Sequence, residues 1–574
     1  MKFASSMSIK QLARVGACLL WSFILLAGCK KKDIELYVPD GFEVTVVVDS
    51  LKGGARHIAV NDNGDIYVKL LSPGHGGNLA LRDTTGDGKA DIIAPFGNYK
   101  ETGRYGTAMR IYQGYLYFST ELAIYRMKLS PGKLIPEGPL DTVVIDDHAH
   151  GGHEHNAKPV TFDDSGHIYI PFGAPSNACQ EFNRTPFSIG KDPCPLFEDH
   201  AGVWRFDAHK SKQTQKDGYK YATGLRSLVA IEWNHLDNKL YSIMHGRDDL
   251  LRLWPNKFSP WQSAVLPAEE FLRIEEGSHA GWPYCYYDQI QGKKVLAPEY
   301  GGDGKIIGRC DTFLNPIIGF PGHWAPNDLL FYSSAQFPEH YKQGAFIAFH
   351  GSTNRAPYPQ SGYFIGFVPH ANGSFKAPVE VFADGFAKID TIINVSDAVY
   401  RPMGIAMGPD GSMYFAETEK GRIWRVKYTG NKEKYSSKMM AGMVKRENEL
   451  HIRTPHEVDD NLDKGKKTDG EKAYFVYCGG CHQKNGLGAK GRFPPLASDW
   501  VTGDKNRLID LTLNGLEGDI KVNEEVFNGT MPKHDFLKDE DIAIILTYIR
   551  SSFGNRADEI KPEEVKIRRD LNSK

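Results

Sequence analysis

Between Lys30 and about Gly430 the chain is a succession of short alternating segments, each an Asp, Asn and Gly turn followed by a strand that carries an aromatic residue. The first runs from Ile58 to Val68 with Asn61-Asp62-Asn63-Gly64 at its turn. Gly114 to Phe118, Thr161 to Ile170, Asp237 to Ser242, Asn327 to Tyr332 and Met407 to Phe415 repeat the design. Alternation with period two marks strands, and the Gly-bearing polar clusters between them mark turns. With Tyr67, Tyr117, Tyr169, Tyr241, Phe331 and Tyr414 as markers, successive units lie 50, 52, 72, 90 and 83 residues apart. Strand-turn-strand units with periods near 50 residues predict propeller blades, the longer steps holding loop insertions. Six units predict a mainly β chain with a six-bladed propeller over residues 29–430. Phe42 to Val48 and Gly421 to Val426 are expected to complete one blade together, which closes the ring and removes exposed edges. A sandwich or a β-helix is the alternative architecture.

The pattern changes after residue 430. Residues 431–465 are rich in Lys, Glu, Ser and Asn with little alternation and are expected to be a linker. Residues 466–556 read as a small all-α domain, closed by an amphipathic helix from Asp539 to Phe553 with Ile542, Ile545, Leu546 and Ile549 on one face. Residues 557–574 read as a polar, solvated tail. At the other end Lys2, Lys10 and Arg14 precede an apolar run of 13 residues, Val15 to Ala27. That is shorter than the roughly 20 residues a membrane-spanning helix needs and has the layout of a secretory signal over residues 1–28. Its ending, Leu26-Ala27-Gly28-Cys29, resembles a bacterial lipobox, which implies cleavage before Cys29 and lipidation of that cysteine. The expected location is the cell envelope, on the periplasmic or outer-membrane face, with the membrane reached through the lipid anchor. Lys30 after the cysteine, where Asp would hold a lipoprotein back, favours the outer membrane.

Composition narrows the classes. The 574 residues are 41% hydrophobic and 24% charged, which suits a globular chain of several domains and excludes disorder. Lys plus Arg is 69 and Asp plus Glu 71, so there is no basic excess to track phosphates and no nucleic acid is expected as a partner. Of the eight cysteines, Cys18 lies in the signal and Cys29 carries the lipid. Cys179, Cys194, Cys285 and Cys310 belong to the propeller and allow three pairings, the near pairs Cys179 with Cys194 and Cys285 with Cys310 being expected in an exported protein.

The remaining two form Cys478-Gly479-Gly480-Cys481-His482. Two thiols three positions apart can add across the vinyl groups of one heme while the adjacent histidine reaches the iron. Gly470 and Tyr474 precede the motif at helical spacing, Phe493-Pro494-Pro495-Leu496-Ala497 follows it, and Asn528-Gly529-Thr530-Met531-Pro532 comes later. The stretch resembles a class I cytochrome c domain. The resemblance implies covalent heme c on Cys478 and Cys481, iron ligated by His482 and Met531, and Pro494 or Pro495 orienting the histidine. His534 is the rival distal ligand.

In the propeller, Asp146 to His155 holds four histidines in eight positions before the third unit's strand. Gly152-His153-Glu154-His155 through Gly173, Thr223-Gly224-Leu225-Arg226, Gly281-Trp282-Pro283-Tyr284-Cys285-Tyr286-Tyr287, His350-Gly351-Ser352-Thr353-Asn354-Arg355 and Arg401-Pro402-Met403-Gly404 resemble the sorbosone dehydrogenase and soluble glucose dehydrogenase family. Members of that family are six-bladed propellers that bind pyrroloquinoline quinone (PQQ) with calcium and oxidise sugars. The resemblance implies His155 as general base, Arg226 as the charge facing the quinone oxygens, and His350, Arg355, Arg401 and Lys158 as cofactor contacts. The chain departs from the family pattern at Lys158, where an arginine is usual, and at Ser227-Leu228 in place of Asn-Pro. Asp83-Thr84-Thr85-Gly86-Asp87-Gly88-Lys89-Ala90-Asp91 looks like the start of an EF-hand loop, but position 12 is Ala94 and not the bidentate Glu, so it reads as a turn. A calcium ion is expected with the quinone, held by loop carbonyls including those near His245-Gly246-Arg247. The reading that joins the halves is a lipid-anchored quinohemoprotein that oxidises a sugar and delivers electrons to a respiratory acceptor. The alternative is a carbohydrate- or protein-binding propeller that carries an electron-transfer cytochrome.

Overall fold

The computed structural model describes residues 35–71, 77–97, 106–148, 154–371, 373–458 and 467–572. The signal, Cys29, His150 and His153 lie outside the described residues. Among those described, no helix is long and apolar enough to cross a membrane.

Six four-stranded antiparallel sheets form the propeller. Their first strands, Ala55–Val60, Met109–Tyr112, Thr161–Phe162, Leu228–Asn234, Pro326–Phe331 and Pro402–Met407, line the axis and touch their neighbours around it. The ring closes as the sequence predicts: Phe42–Val48 pairs with Ile423–Tyr428, Phe42 opposite Tyr428. Phe42 is seated edge-on against Phe337, Phe382, Tyr428 and Tyr341, with ring centroids 4.8 to 5.5 Å away. Each such contact adds about 0.5–1.5 kcal/mol beyond burial of its area, so the clasp holds without a covalent link.

Alternation is weaker than the sequence suggests, because a blade is covered on both faces by its neighbours. Ile66–Leu70, Ala345–Phe349 and Phe364–Val368 are buried at every position. Asp and Asn fix the hairpins through their own backbone: Asp163 Oδ1 accepts from the amides of Ser165 and His167, both at 2.9 Å. Five of the six aromatic markers sit on second strands. Phe331 ends a first strand instead, because Asn327-Asp328, expected to be a turn, is buried inside that strand. In the EF-like segment Asp83 accepts from the amides of Thr85, Gly86 and Gly88, so its lone pairs close a turn.

Two segments differ from expectation. The linker is packed along the propeller through residue 457. Short helical turns at Lys432–Lys434 and Ser437–Met440 lead to the helix Ala441–Arg446, and Met443 and Ile452 enter a core that contains Trp324, Phe349 and Phe364. Asp384 receives both Arg446 and His451, the latter at 2.9 Å. The supposed tail is likewise a helix, Pro562–Asn572, with Val565 fully buried in the cytochrome-like core and Arg569 Nε 2.8 Å from Asp539. Val565 is its one buried residue, and Arg568 and Arg569 are spent on Asp510 and Asp539, which a count of charges cannot reveal.

The C-terminal domain packs Asp469–Tyr477, Lys505–Asn514, Asp539–Ser551 and Pro562–Asn572 around that core. Thr468 caps the first helix by accepting from Glu471 N at 3.2 Å. A Cβ at Gly470 would lie 2.6 Å from the Ile544 carbonyl, so the first helix and Asp539–Ser551 can cross this closely only at glycine.

Candidate functional site

A cavity of about 2020 Å³ lies between the propeller mouth and the C-terminal domain. His155, Arg226, His245, His350 and Arg401 line it from the propeller side, Cys481 and Met531 from the other.

His155 ends the loop that precedes the third blade and has a left-handed backbone, φ 62°. Gly173 makes room for it, because a Cβ there would meet the His155 carbonyl at 2.3 Å. The ring Nδ1 lies 2.6 Å from the Ala174 carbonyl. A carbonyl only accepts, so Nδ1 carries the proton and Nε2 keeps its lone pair. Burial, with Arg226 second, pushes the imidazole pKa down to about 3, so the ring is neutral throughout the physiological range.

Arg226 is buried and largely committed. Nε donates to Asn177 O, Nη1 to Gly246 O at 2.7 Å, and Nη2 to Asn177 Oδ1 and Asp248 Oδ2 at 2.8 and 2.9 Å. Four of its five N–H groups are thus used within the protein, and one on Nη1 is left for a ligand. The Gly246 carbonyl, expected to serve calcium, accepts from this arginine. Among the described residues no group of three or more His, Cys, Asp or Glu is placed to hold a metal ion.

The residues that hold this corner together were not singled out in the sequence. Asp248 accepts from Arg226 at 2.9 Å, Arg184 at 3.0 Å and Asn354 at 2.6 Å. Burial raises its carboxyl, but Arg226 and Arg184 outweigh that and hold it well below the usual range. Arg184 forks onto Glu154, beside the base, at 2.7 Å and reaches Asp249 at 2.8 Å, and Asp249 holds Arg252 at 2.7 Å. Arg184 comes from the loop closed by the Cys179–Cys194 disulfide; Cys285–Cys310 closes a second loop below it. The one sequence signal was the dense run Arg247-Asp248-Asp249.

Arg401 Nη2 donates to His350 Nδ1 at 2.9 Å and to Gly351 O at 2.7 Å, while His350 Nε2 donates to Thr418 Oγ1 at 2.8 Å. Burial first and Arg401 second keep His350 neutral, its pKa well below 6.5. Two expected contacts do not reach the cavity wall. Lys158 is buried with its amine 2.6 Å from Asp146 and over the Phe172 ring, so a lysine here serves an internal ion pair. Arg355 is fully buried, its backbone facing Gln360, and its neighbours Thr353 and Asn354 line the wall instead.

On the other side, Cys478 and Cys481 are free thiols at the end of Asp469–Tyr477 and on the short helix Gly479–His482. His482 Nδ1 is 3.0 Å from the Pro494 carbonyl, so it donates there and Nε2 is left unprotonated. Pro494 is therefore the orienting residue of the two prolines. Met531 exchanges backbone hydrogen bonds with Leu516 at 2.8 and 2.9 Å, and a Cβ at Gly515 would lie 2.5 Å from its carbonyl. Met531 lines the cavity; His534 is buried and does not. Two free thiols and an oriented imidazole within five positions, with Cys481 and the Met531 thioether on the cavity wall, fit a covalent heme. Arg226, Arg401, neutral imidazoles and amides on the other suit a planar polyanion, the carboxylates of Glu154, Asp248 and Asp249 there being paired with Arg184, Arg226 and Arg252.

A family model described as TrAA12-like matches residues 36–429, and one described as cytochrome c matches residues 468–553. Cytochrome c-552 of Thermus thermophilus is 42% identical over 94 residues, 16% of this chain and 71% of that protein. The calcium structure of the Trichoderma reesei family AA12 carbohydrate-active enzyme aligns with a TM-score of 0.54 at 18% identity, covering 68% of this chain and 97% of that one. The holo PQQ domain of pyranose dehydrogenase from Coprinopsis cinerea aligns with a TM-score of 0.53 at 17% identity, covering 69% and 97%. At these identities the structural likeness shows the propeller fold.

Proposed function

Residues 36–429, more than half of the chain, place this protein in the TrAA12-like family with a cytochrome c domain attached, and from that premise we propose a quinohemoprotein dehydrogenase that oxidises a sugar hydroxyl or hemiacetal. The observation that carries the reading is that one cavity is lined both by a neutral histidine with a free Nε2 and by a heme-attachment cysteine.

His155 Nε2 takes the hydroxyl proton, and its hydrogen bond to Ala174 keeps the lone pair aimed at the cavity. Arg226 supplies fixed positive charge near the developing negative charge, with little reorganisation because its other donors are already anchored. Arg401, oriented by its bond to His350, would hold a cofactor carboxylate, and Asn354 and Thr353 shape the wall beside it. PQQ, when bound, supplies the two-electron acceptor for the substrate C–H. Cys478 and Cys481 would attach heme c and His482 and Met531 would ligate it, giving a one-electron outlet whose thioether ligand favours a raised potential. The PQQ-bound and AA12 neighbours support the quinone and the sugar as cofactor and substrate classes. The chain would be tethered in the cell envelope through Cys29, with a respiratory carrier as its acceptor.

The test adds PQQ, calcium and a panel of aldoses to the heme-loaded protein and follows the reduced-heme absorbance, with a chelator arm for calcium. Reduction by a sugar, abolished in His155→Ala while the heme spectrum is unchanged, is the expected result. If dithionite reduces the heme and no sugar does, the dehydrogenase reading fails and a binding propeller replaces it.

A further inference from the structure

The seam between the two domains is built from buried amides. Gln483 follows the heme-ligand candidate His482, has φ 64° and is completely buried. Its Nε2 donates to the propeller carbonyl of Thr353 at 3.1 Å and to Gly480 O at 2.9 Å, and its Oε1 accepts from Gln360 at 3.0 Å. Gln360 is also fully buried. A second buried propeller amide, Asn394, donates to Gly488 O at 2.5 Å. Buried amides with both ends engaged tolerate little sliding, because a displaced partner leaves a polar group unsatisfied.

The connection is short as well. Trp261 Nε1 donates to Pro455 O at 2.8 Å, Ser361 to His451 O at 2.8 Å, and Tyr358 to Glu457 O. Nine residues lie between Glu457 and Lys467, ten steps along the chain and a reach of at most about 36 Å. Under the seam Gly480 lies against Asp249, near the end of the ion-pair chain that begins beside His155.

We propose that Gln483, Gln360 and Asn394 lock the cytochrome domain in one docked pose on the propeller, so that electrons leave the cavity by a fixed intramolecular route and the heme domain does not swing to its acceptor. The electron route rests on the functional reading above; the docking does not. The sugar alcohol loses two electrons and two protons to give the carbonyl product. The two electrons and one proton would go to bound PQQ and the other proton to His155. A heme held by Cys478, Cys481, His482 and Met531 would supply a one-electron outlet, two turns of which, each completed by an external one-electron acceptor and with the protons released to solvent, would restore the quinone.

The test uses the heme-loaded full chain and the double variant Gln360→Ala with Asn394→Ala, neither residue lining the cavity. Small-angle scattering without PQQ should show one compact state for the wild type and a larger radius for the variant. With PQQ and an active aldose, heme reduction should slow at least tenfold in the variant while reduction of a small soluble dye, the heme α-band and the heme potential hold. A wild type that scatters as extended species, or a variant that stays docked and reduces heme at the wild-type rate, overturns the lock. If no aldose reduces wild-type heme, the functional reading fails while scattering still decides the docking. Should the double variant not fold, Asn394→Ala alone carries the same two readouts.

Discussion

Asp248→Asn tests how the cavity corner is held. The substitution keeps shape and removes the charge that the buried Arg226 and the half-buried Arg184 share, at 2.9 and 3.0 Å. Breaking a buried pair costs about 3–5 kcal/mol, mostly from the uncompensated charge left behind. Arg184 retains Glu154 and Asp249 while Arg226 has no other carboxylate within hydrogen-bond reach among its contacts, so the low end, about 3 kcal/mol, is expected. At about 2.1 cal/mol/K per residue, a propeller of roughly 400 residues loses about 0.8 kcal/mol per degree, giving a fall in Tm of about 4 °C. Calorimetry on protein free of PQQ isolates this from cofactor binding. Asn354→Ala removes one bond to the same carboxylate without a charge and should cost about 1.5–3 kcal/mol, half or more of that shift. A Tm change below 1 °C in Asp248→Asn would refute the argument that Arg226 depends on that charge.

Burial holds His57 at a pKa of about 4 against 6.5 when unfolded. Between those values the unfolded chain binds a proton that the folded chain refuses, so stability falls as pH drops from 6.5 towards 4, by about 2 kcal/mol at pH 5 for this ring. His57→Gln should flatten the Tm loss between pH 7 and pH 5 by about 2 °C; an unchanged loss would show the ring to be idle. Met531→Ala in the heme-loaded protein should remove the thioether-to-iron charge-transfer band and lower the midpoint potential, whereas His534→Ala should keep the band; the reverse pattern would assign His534 as ligand. Val565→Asp, at a fully buried position of the last helix, should destabilise the cytochrome domain by about 3 kcal/mol in denaturant titrations, and a neutral result would mean the helix is dispensable.

The alternating segments and their turns were local patterns, and local patterns survive in a sequence because each strand and turn is decided by neighbours a few residues away; their number and recurrence then implied a ring that the first and last strands close together. The same holds for Cys478, Cys481 and His482, whose chemistry lies within five positions. Arg184, Asp248 and Arg252 could not be read in this way. They converge from a disulfide-closed loop and from the long loop between the second and third strands of one blade, and a half-buried ion pair between Glu154 and Arg184 has no spacing that marks it. Lys158 and Arg355 show the opposite error: both lie in strings that resemble cofactor-binding segments, yet their side chains turn into the protein, because which face a loop residue presents is set by the blade beneath it. The linker and the final helix misled for a related reason. Their compositions are polar, but Met443, Ile452 and Val565 are single apolar contacts whose partners lie far away in the chain. Sequence alone thus determined the ring and the heme motif. The tertiary structure decided that the two face one cavity, because Gln483 meets Gln360 only when the domains dock.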